Sequence, residues 1–180
     1  ADYMQLSFMR HFNQYLPKSG VSVKNLSNDL AGLHICGPNA QALISRLADR
    51  EMDTTNFKFM SADKMRIGGI DNVMVFRISF TGECGYEMYL PRNRQAKLFD
   101  ILRNEGSDLG LGLVGTRSLM HTRLEKSFAA WGLELSSDYT ALDCNMMAHV
   151  KPEKGDFIGR NAVLSYNPQQ EKFVTFTVDI

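Results

Sequence analysis

The spacing of apolar residues near the start of the chain predicts two strands followed by a helix. The stretches VSVKNLS and LHICGP each alternate apolar residues with others, which is typical of short strands. In the stretch that follows, PNAQALISRLADR, apolar residues recur at the spacing of one helical face. The residues on that face are Ala40, Leu43, Ile44 and Leu47.

A strand pair and a returning strand are predicted in the middle of the chain. DKMRIGGIDNVMVFRISF is divided into two strands by Gly68 and Gly69. In the second strand a set of apolar side chains shares one face, because side chains alternate along a strand. This set consists of Met74, Phe76, Ile78 and Phe80. YEMYLP is predicted to return antiparallel and to stop at Pro91.

Two further helices complete the predicted fold. RNRQAKLFDILRNEG has an inward apolar stripe and is followed by Gly106 as a candidate C′ glycine, and TRSLMHTRLEKSF has a stripe with a spacing of four. The stripe residues are Leu98, Ile101 and Leu102 in the first helix and Thr116, Met120 and Leu124 in the second. This order of elements predicts an α+β fold with a mostly antiparallel sheet and helices packed on one face.

Composition argues against several classes of function. The 20 basic and 20 acidic residues balance, so no net field attracts the chain to nucleic acid or anionic lipid. No apolar run approaches the roughly 20 residues of a membrane helix. The 3 cysteines are widely spaced and the 4 histidines lack HxxxH or HExxH spacing, so neither a disulfide framework nor a metal site is predicted. The cysteine pattern is typical of a reducing cytoplasm or matrix, and of these we predict a cytoplasmic location.

A glycine pattern before the last of these helices raises the question of nucleotide binding. GLGLVG, residues 110–115, matches G-x-G-x-x-G and precedes a helix. A dinucleotide fingerprint requires a buried strand that leads into the first glycine, whereas NEGSD indicates a helix end and a loop. A connection between two helices is therefore the preferred interpretation. Binding of NAD or FAD is kept as an alternative, which we call the third hypothesis because two others follow below.

One carboxylate is a candidate for ligand binding. Glu83 lies between Gly82 and Gly85 in RISFTGECGYEMYLP, and both glycines are expected to take positive φ at the tip of a hairpin. In one interpretation Glu83 is an ordinary exposed turn residue. In the other, its carboxylate accepts two parallel hydrogen bonds from a planar ring with adjacent N–H donors, such as a pterin or guanine edge. The face that includes Phe76 would then offer stacking area, unless that face is core.

Three motifs in order resemble the folate-binding domain of the aminomethyltransferase (glycine cleavage T-protein) family. They are RISFTGECGYEMYLP, GTRSLMHTRLEKSFAAWGLEL and KPEKGDFIGRNAVL, and HICGPNAQALISRL resembles a further segment of that family. RLEK and WGLEL followed by DFIGR are most similar to the branch fused to flavin domains in sarcosine and dimethylglycine dehydrogenases. The resemblance covers residues 3–180 and implies the fold of that domain.

The resemblance also implies an activity, the transfer of a one-carbon unit from an amine donor to tetrahydrofolate. Glu83 stands where the TGE turn of the family holds the pterin ring, and Phe76 is the candidate aromatic residue of the folate pocket. Arg117 and Arg123 match arginines of the family, and an arginine can pair with the folate glutamyl carboxylate. Arg123 is equally compatible with a structural role. A flavin domain is expected elsewhere in the full-length chain.

Several family features are expected to lie outside this sequence. The first residues, ADYMQLSFMRHFNQYL, have the pattern of the interior of a helix. The last residues, KFVTFTVDI, have the pattern of a strand with no partner after it, so we expect that the chain has been cut at both ends. The catalytic aspartate of the family belongs upstream, and neither Asp2 nor Asp29 stands in its motif, so no catalytic residue is assigned. Residues 1–172 are assigned to a partial folate-binding domain and residues 173–180 to the start of the C-terminal β-barrel domain.

Two hypotheses for the function follow from the resemblance. In the first, the chain is the tetrahydrofolate-binding part of a one-carbon transferase, and by itself it shows little or no turnover. In the second, it is a folate-binding module that serves regulation or assembly without catalysis. The full-length gene would discriminate between them, because only the first requires the upstream aspartate.

Overall fold

A computed structural model of the chain describes residues 9–167 and 172–178. The chain divides into two compact units. We call Gly20–Lys126 the central unit, and Ala1–Ser19 together with Ser127–Ile180 the terminal unit. Each unit is described by itself below.

The central unit contains a four-stranded sheet in which all neighbouring strands are antiparallel. Its strands are β1 (Leu30–Cys36), β2 (Ala62–Ile67), β3 (Ile70–Phe76) and β4 (Gly85–Pro91), in the spatial order β1-β4-β3-β2. The predicted turn at Gly68 and Gly69 joins β2 to β3, and both glycines have positive φ. The register places Cys36 opposite Gly85 and Phe76 opposite Glu87.

The central unit has three helices, α1 (Ala40–Leu47), α2 (Gln95–Glu105) and α3 (Thr116–Glu125). The first two cover one face of the sheet and enclose the core, whereas α3 contributes no residue to that core. Of the residues that the helical spacing predicted, Ala40, Leu43, Ile44, Leu98 and Leu102 are buried, and Leu47 and Ile101 are partly buried against the same core. They pack against Ile35, Met65, Ile67, Val73, Val75, Tyr86, Met88 and Leu90 of the strands. The predicted α+β fold is therefore confirmed.

Two strand predictions were wrong. Residues 21–27 form no strand, and Val21 and Val23 are 53% and 42% exposed, because alternation alone supplies no partner to accept their backbone hydrogen bonds. In addition, β3 ends at Phe76, so Ile78 and Phe80 lie in the loop that follows and not on the strand face predicted for them.

The helix α3 exists as predicted, but the predicted stripe is not its buried face. Leu124 is 40% exposed and Thr116 is exposed, whereas Arg123 is only 2% exposed. Gly106 directly follows α2 as predicted, although its φ of −95° is right-handed. A Cβ at Gly106 would lie 2.8 Å from the side chain of Leu111, so close packing explains this glycine.

The terminal unit has less regular structure among its described residues. Residues 9–13 are helical, while residues 1–8 of the predicted first helix lie outside the described residues. A short helix, α4 (Arg160–Leu164), follows the single-turn helices Met147–His149 and Pro152–Lys154. The backbone N–H of Phe173 donates to the carbonyl of Asp143 at 2.7 Å. The domain boundary at residues 172 and 173 stays a prediction.

Replacing Gly85 with alanine is expected to destabilise the protein. A Cβ there would lie 2.6 Å from Cβ of Ser79 and 3.1 Å from the carbonyl oxygens of Ile35 and Ile78. Overpacking of this kind costs about 1–3 kcal/mol of unfolding free energy, which urea denaturation would measure. Gly112→Ala is the control, because nothing lies within 4 Å of its Cβ position. Equal unfolding midpoints for the two variants would contradict the expectation.

Candidate functional site

Glu83 lies near the end of the loop, residues 77–84, that joins β3 to β4. Two hydroxyl groups order this loop. The Oγ of Ser79 and the Oγ1 of Thr81 lie 2.9 Å apart, and Ser79 also accepts a hydrogen bond from the backbone N–H of Thr81. The backbone N–H of Glu83 donates to Oγ1 of Thr81 at 3.4 Å. Thr81 itself is buried, so the loop presents Glu83 from an ordered base.

The two glycines that flank Glu83 have different roles. Gly82 has a φ of +73°, as predicted, and this conformation favours glycine. Gly85 does not have positive φ, so that part of the prediction was wrong. Gly85 is required because the backbone of Ile35 and Ile78 passes close to it.

A lysine that the sequence analysis did not predict contacts the Glu83 carboxylate. Nζ of Lys126 lies 3.0 Å from Oε1 of Glu83, and the two side chains are 44% and 47% exposed. Among the described residues, no hydrogen bond reaches Oε2 of Glu83. Lys126 directly follows α3, where a cation is favourable beside the partial negative charge of a helix C-terminus. That position was the only signal for it in the sequence.

Phe76 lies on the face of the sheet opposite the helices. Its neighbours in β3, Val73 and Val75, are fully buried on the helix side, whereas Phe76 is half-buried on the other side. Its ring packs edge-on against Tyr89 at a centroid distance of 5.7 Å. We call this side, with Gly32, His34, Met74, Phe76, Glu87 and Tyr89, the outer face. The apolar face predicted around Phe76 is therefore not the core that the helices enclose.

The outer face also has polar groups. The hydroxyl of Tyr89 donates to Oε2 of Glu87 at 2.8 Å. Burial, with a further contribution from Glu87, raises the pKa of Tyr89 to about 12, so this phenol stays protonated at neutral pH. His34 is an exposed residue that stands opposite Glu87 in the register. Desolvation of the imidazole ring lowers the pKa of His34, and the negative charge of Glu87 opposes this shift.

The two candidate arginines lie in different environments on α3. Arg117 is exposed in the first turn, whereas Arg123 is 2% exposed. This burial favours the structural role that the sequence left open for Arg123. Lys126 is nine positions after Arg117, on the order of 13 Å along the helix axis at about 1.5 Å per residue. The structure thus brings Glu83 to one end of α3 and places Arg117 at the other.

Phe76 and Glu83 lie at the same end of the sheet. Phe76 is the last residue of β3, and Gly85, the first residue of β4, follows Glu83 closely. Because the loop between these strands leaves and returns at this end, Glu83 and Phe76 both lie at this end of the sheet.

The segment GLGLVG connects two helices, as predicted. The single-turn helix Ser107–Leu109 precedes Gly110, and α3 begins at Thr116. No strand leads into the first glycine, so the context of a dinucleotide fingerprint is missing. Gly110 has a φ of +73°, which explains this glycine by turn geometry.

The described part of the chain has neither a metal-binding cluster nor a membrane-spanning helix. Residues 9–167 and 172–178 contain no group of three or more His, Cys, Asp or Glu side chains suited to a metal ion. The cysteines Cys36, Cys84 and Cys144 are free thiols. No helix within these residues has the length and apolar character to cross a membrane.

Comparison with known sequences shows relatives along most of the chain. Human dimethylglycine dehydrogenase, mitochondrial, is 34% identical over 162 residues, which cover 88% of this chain and 19% of that protein. The aminomethyltransferase of Caldanaerobacter subterraneus subsp. tengcongensis is 34% identical over 158 residues, 87% of this chain and 42% of that protein. The mouse pyruvate dehydrogenase phosphatase regulatory subunit, mitochondrial, is 32% identical over 154 residues, which cover 84% of this chain and 18% of that protein. The chain spans less than half the length of each relative.

A solved structure has a similar fold. Heterotetrameric sarcosine oxidase from Corynebacterium sp. U-96, in complex with pyrrole 2-carboxylate, matches with a TM-score of 0.51 over 61% of this chain and 54% of that chain. The sequence identity is 17%, so this similarity concerns the fold alone. Residues 2–154 match the family described as the GCVT N-terminal domain. The resemblance inferred from the sequence motifs is confirmed, and the chain belongs to the family of GCVT N-terminal domains.

Proposed function

We propose that this chain binds tetrahydrofolate through Glu83 and forms the folate-binding part of a one-carbon transferase. The observation that carries the proposal is the half-exposed Glu83 carboxylate, presented by an ordered glycine-containing loop in a GCVT N-terminal domain. The reaction class is supported by the relatives named aminomethyltransferase and dimethylglycine dehydrogenase. Transfer of the one-carbon unit from an amine donor belongs to the first hypothesis alone, whereas binding of tetrahydrofolate is common to both hypotheses.

The residues near the loop fit a pterin ring. A carboxylate has about four acceptor positions, and Lys126 uses one of them on Oε1 of Glu83. At least one acceptor position therefore remains on each of Oε1 and Oε2 of Glu83 for the two parallel N–H donors of a pterin edge. Phe76 provides aromatic surface at the same end of the sheet. Arg117 offers an exposed cation of the kind that pairs with a glutamyl carboxylate.

Bound tetrahydrofolate would supply the nitrogen that accepts the one-carbon unit. The residues of this chain would bind and orient it: Glu83 fixes the ring edge, Phe76 contacts its face, and Arg117 holds the tail. Orientation of this kind lowers the entropy cost of a reaction between two bound partners. No described residue is assigned to proton transfer.

Calorimetric titration of tetrahydrofolate into the chain tests the proposal. We expect binding, and we expect a tetrahydropterin without the p-aminobenzoylglutamate tail to compete for the same site. Parallel titrations with NAD and FAD test the third hypothesis, which rests on GLGLVG alone. Absence of binding by both the folate and the pterin would overturn the proposed site.

The second candidate function is a folate-binding module for regulation or assembly. It is favoured by one observation, the 32% identity to a mouse protein named as a phosphatase regulatory subunit. A one-carbon transfer assay on the full-length protein, with sarcosine or dimethylglycine as donor, separates the two functions. Folate binding without turnover would favour the module.

Replacement of Arg117 by glutamine is expected to weaken tetrahydrofolate binding about two- to fivefold and to leave tetrahydropterin binding unchanged. The reason is that exposed ion pairs contribute about 0.2–1 kcal/mol, and only the folate has the glutamyl carboxylate. Arg94→Gln, which changes an exposed arginine before α2, is the control for calorimetry. Equal losses for both ligands would contradict the assignment of Arg117 to the tail.

The remaining parts of the proposal concern the protein beyond these residues. A flavin domain in the full-length chain and a β-barrel domain that starts at residues 173–180 are both part of it. The proposed location is the cytoplasm, on the basis of the free cysteines. Two relatives have the word mitochondrial in their names, so a mitochondrial location is the alternative. Fractionation of cells that express the full-length protein would test the location.

A further inference from the structure

The C-terminal end of α3 contacts the Glu83 loop through one side chain, that of Lys126. Its ammonium lies 3.0 Å from Oε1 of Glu83. Its aliphatic stem lies against Gly82, since a Cβ at that glycine would be 2.6 Å from Cγ and 2.9 Å from Cβ of Lys126. Lys126 therefore contacts both the backbone of the turn and the carboxylate that the turn presents.

The backbone of Lys126 is itself fixed. Its N–H donates to the carbonyl of Arg123 at 3.2 Å at the end of α3. Arg123, three residues earlier on the same helix, is only 2% exposed, so this end of the helix is anchored by a buried side chain. The ammonium thus extends from a helix end to a loop, rather than from one loop to another.

We propose that Lys126 is the positioning residue of the ligand-binding carboxylate, which it holds in the orientation that receives two parallel N–H donors. This inference rests on the proposed folate function. Lys126 acts through Glu83 and does not need to contact the ring.

The geometry favours positioning over competition with the ligand. With one of about four acceptor positions of Glu83 occupied by Lys126, the ligand does not have to displace the ammonium. A glutamate side chain loses rotamer entropy when it is ordered. The ion pair with Lys126 orders the Glu83 side chain before the ligand binds, so less entropy is lost on binding. Preorganisation increases affinity in this way.

Calorimetry on two variants tests the positioning role. Lys126→Met keeps most of the stem and removes the charge, and we expect about two- to fivefold weaker tetrahydrofolate binding, which corresponds to an exposed ion pair. Lys126→Arg keeps the charge and is expected to restore binding to within about twofold of the parent. The loss should shrink at about 0.5 M salt, because screening weakens exposed ion pairs. Tighter binding by Lys126→Met would overturn the proposal in favour of competition.

A double-mutant cycle separates positioning from a general effect on structure. In a Glu83→Gln background, Lys126→Met is expected to cause no further loss of affinity, since the charge that it positions is already gone. An equal loss in both backgrounds would overturn the positioning role.

A measurement without ligand distinguishes failure of this inference from failure of the folate function. Amide hydrogen exchange at Gly82, Glu83 and Cys84 is expected to be faster in Lys126→Met than in the parent, while Lys64→Met, at an exposed position on β2, is expected to leave it unchanged. Unchanged exchange in Lys126→Met would overturn the positioning role whatever the folate titration gives. Faster exchange in a chain that binds no folate would support the positioning contact and overturn only the proposed ligand.

Discussion

Replacing Glu83 with glutamine is expected to weaken tetrahydrofolate binding ten- to a hundredfold. Hydrogen bonds to a charged group contribute about 1.5–3 kcal/mol, and this range corresponds to that loss of affinity. Glutamine keeps the shape of the side chain but replaces one acceptor oxygen with an NH₂ donor, which would face an N–H donor of the pterin. Calorimetric titration of both proteins under the same conditions measures the difference.

The control for this experiment is Glu51→Gln, which makes the same change of charge at an exposed position. Its affinity should equal that of the parent. The unfolding free energy of Glu83→Gln should stay within about 1 kcal/mol of the parent, since only an exposed ion pair with Lys126 is lost. Equal tetrahydrofolate binding by the parent and Glu83→Gln would show that Glu83 is an ordinary turn residue.

Helical spacing predicted the buried face of α1 because the large apolar residues of that helix lie on one side. Ala40, Leu43 and Ile44 are all buried. The same method was wrong for α3, where Arg123 is the buried side chain and Leu124 is exposed. A long arginine can bury its stem and find partners for its guanidinium, and no pattern of apolar residues reports this.

The outer face shows a different limit of the sequence pattern. In β3 both faces are apolar, so the two-residue period identifies the faces without showing which one the helices cover. Val73 and Val75 are on the covered face, and Phe76 is on the other. Arg77, the residue after β3, is also buried, so a charged side chain lies among buried residues here.

The candidate site was only partly accessible to sequence reasoning. Glu83 is recognisable because a glycine-containing turn needs no glutamate for its own geometry. Its contact with Lys126 depends on how the end of α3 packs against the loop, and residues far apart in sequence leave no local signal of such packing. For the same reason the sequence did not distinguish Gly82, which needs positive φ, from Gly85, which needs close approach of the backbone.

The buried arginine at the start of the Glu83 loop is expected to have the largest effect on stability. Arg77 is 9% exposed, and its guanidinium donates to the carbonyls of Phe57 and Asp53 and lies 6.0 Å from the ring centre of Tyr86. Arg77→Met keeps the volume but leaves the buried carbonyl of Phe57 without its charged donor. We expect a loss of about 2–3 kcal/mol of unfolding free energy, measured by urea denaturation.

Arg66→Met is the matched control for Arg77→Met, because Arg66 forms an exposed ion pair with Asp71 at 2.6 Å and its removal should cost less than about 1 kcal/mol. Folded Arg77→Met should still bind tetrahydrofolate, since the hydrogen bonds between Thr81 and Glu83 do not involve Arg77. Similar losses of stability in the two variants would show that the buried contacts of Arg77 contribute little. If Arg77→Met stays stable but loses folate binding, Arg77 contributes to the ligand site, either by contacting the ligand or by positioning the loop that presents Glu83.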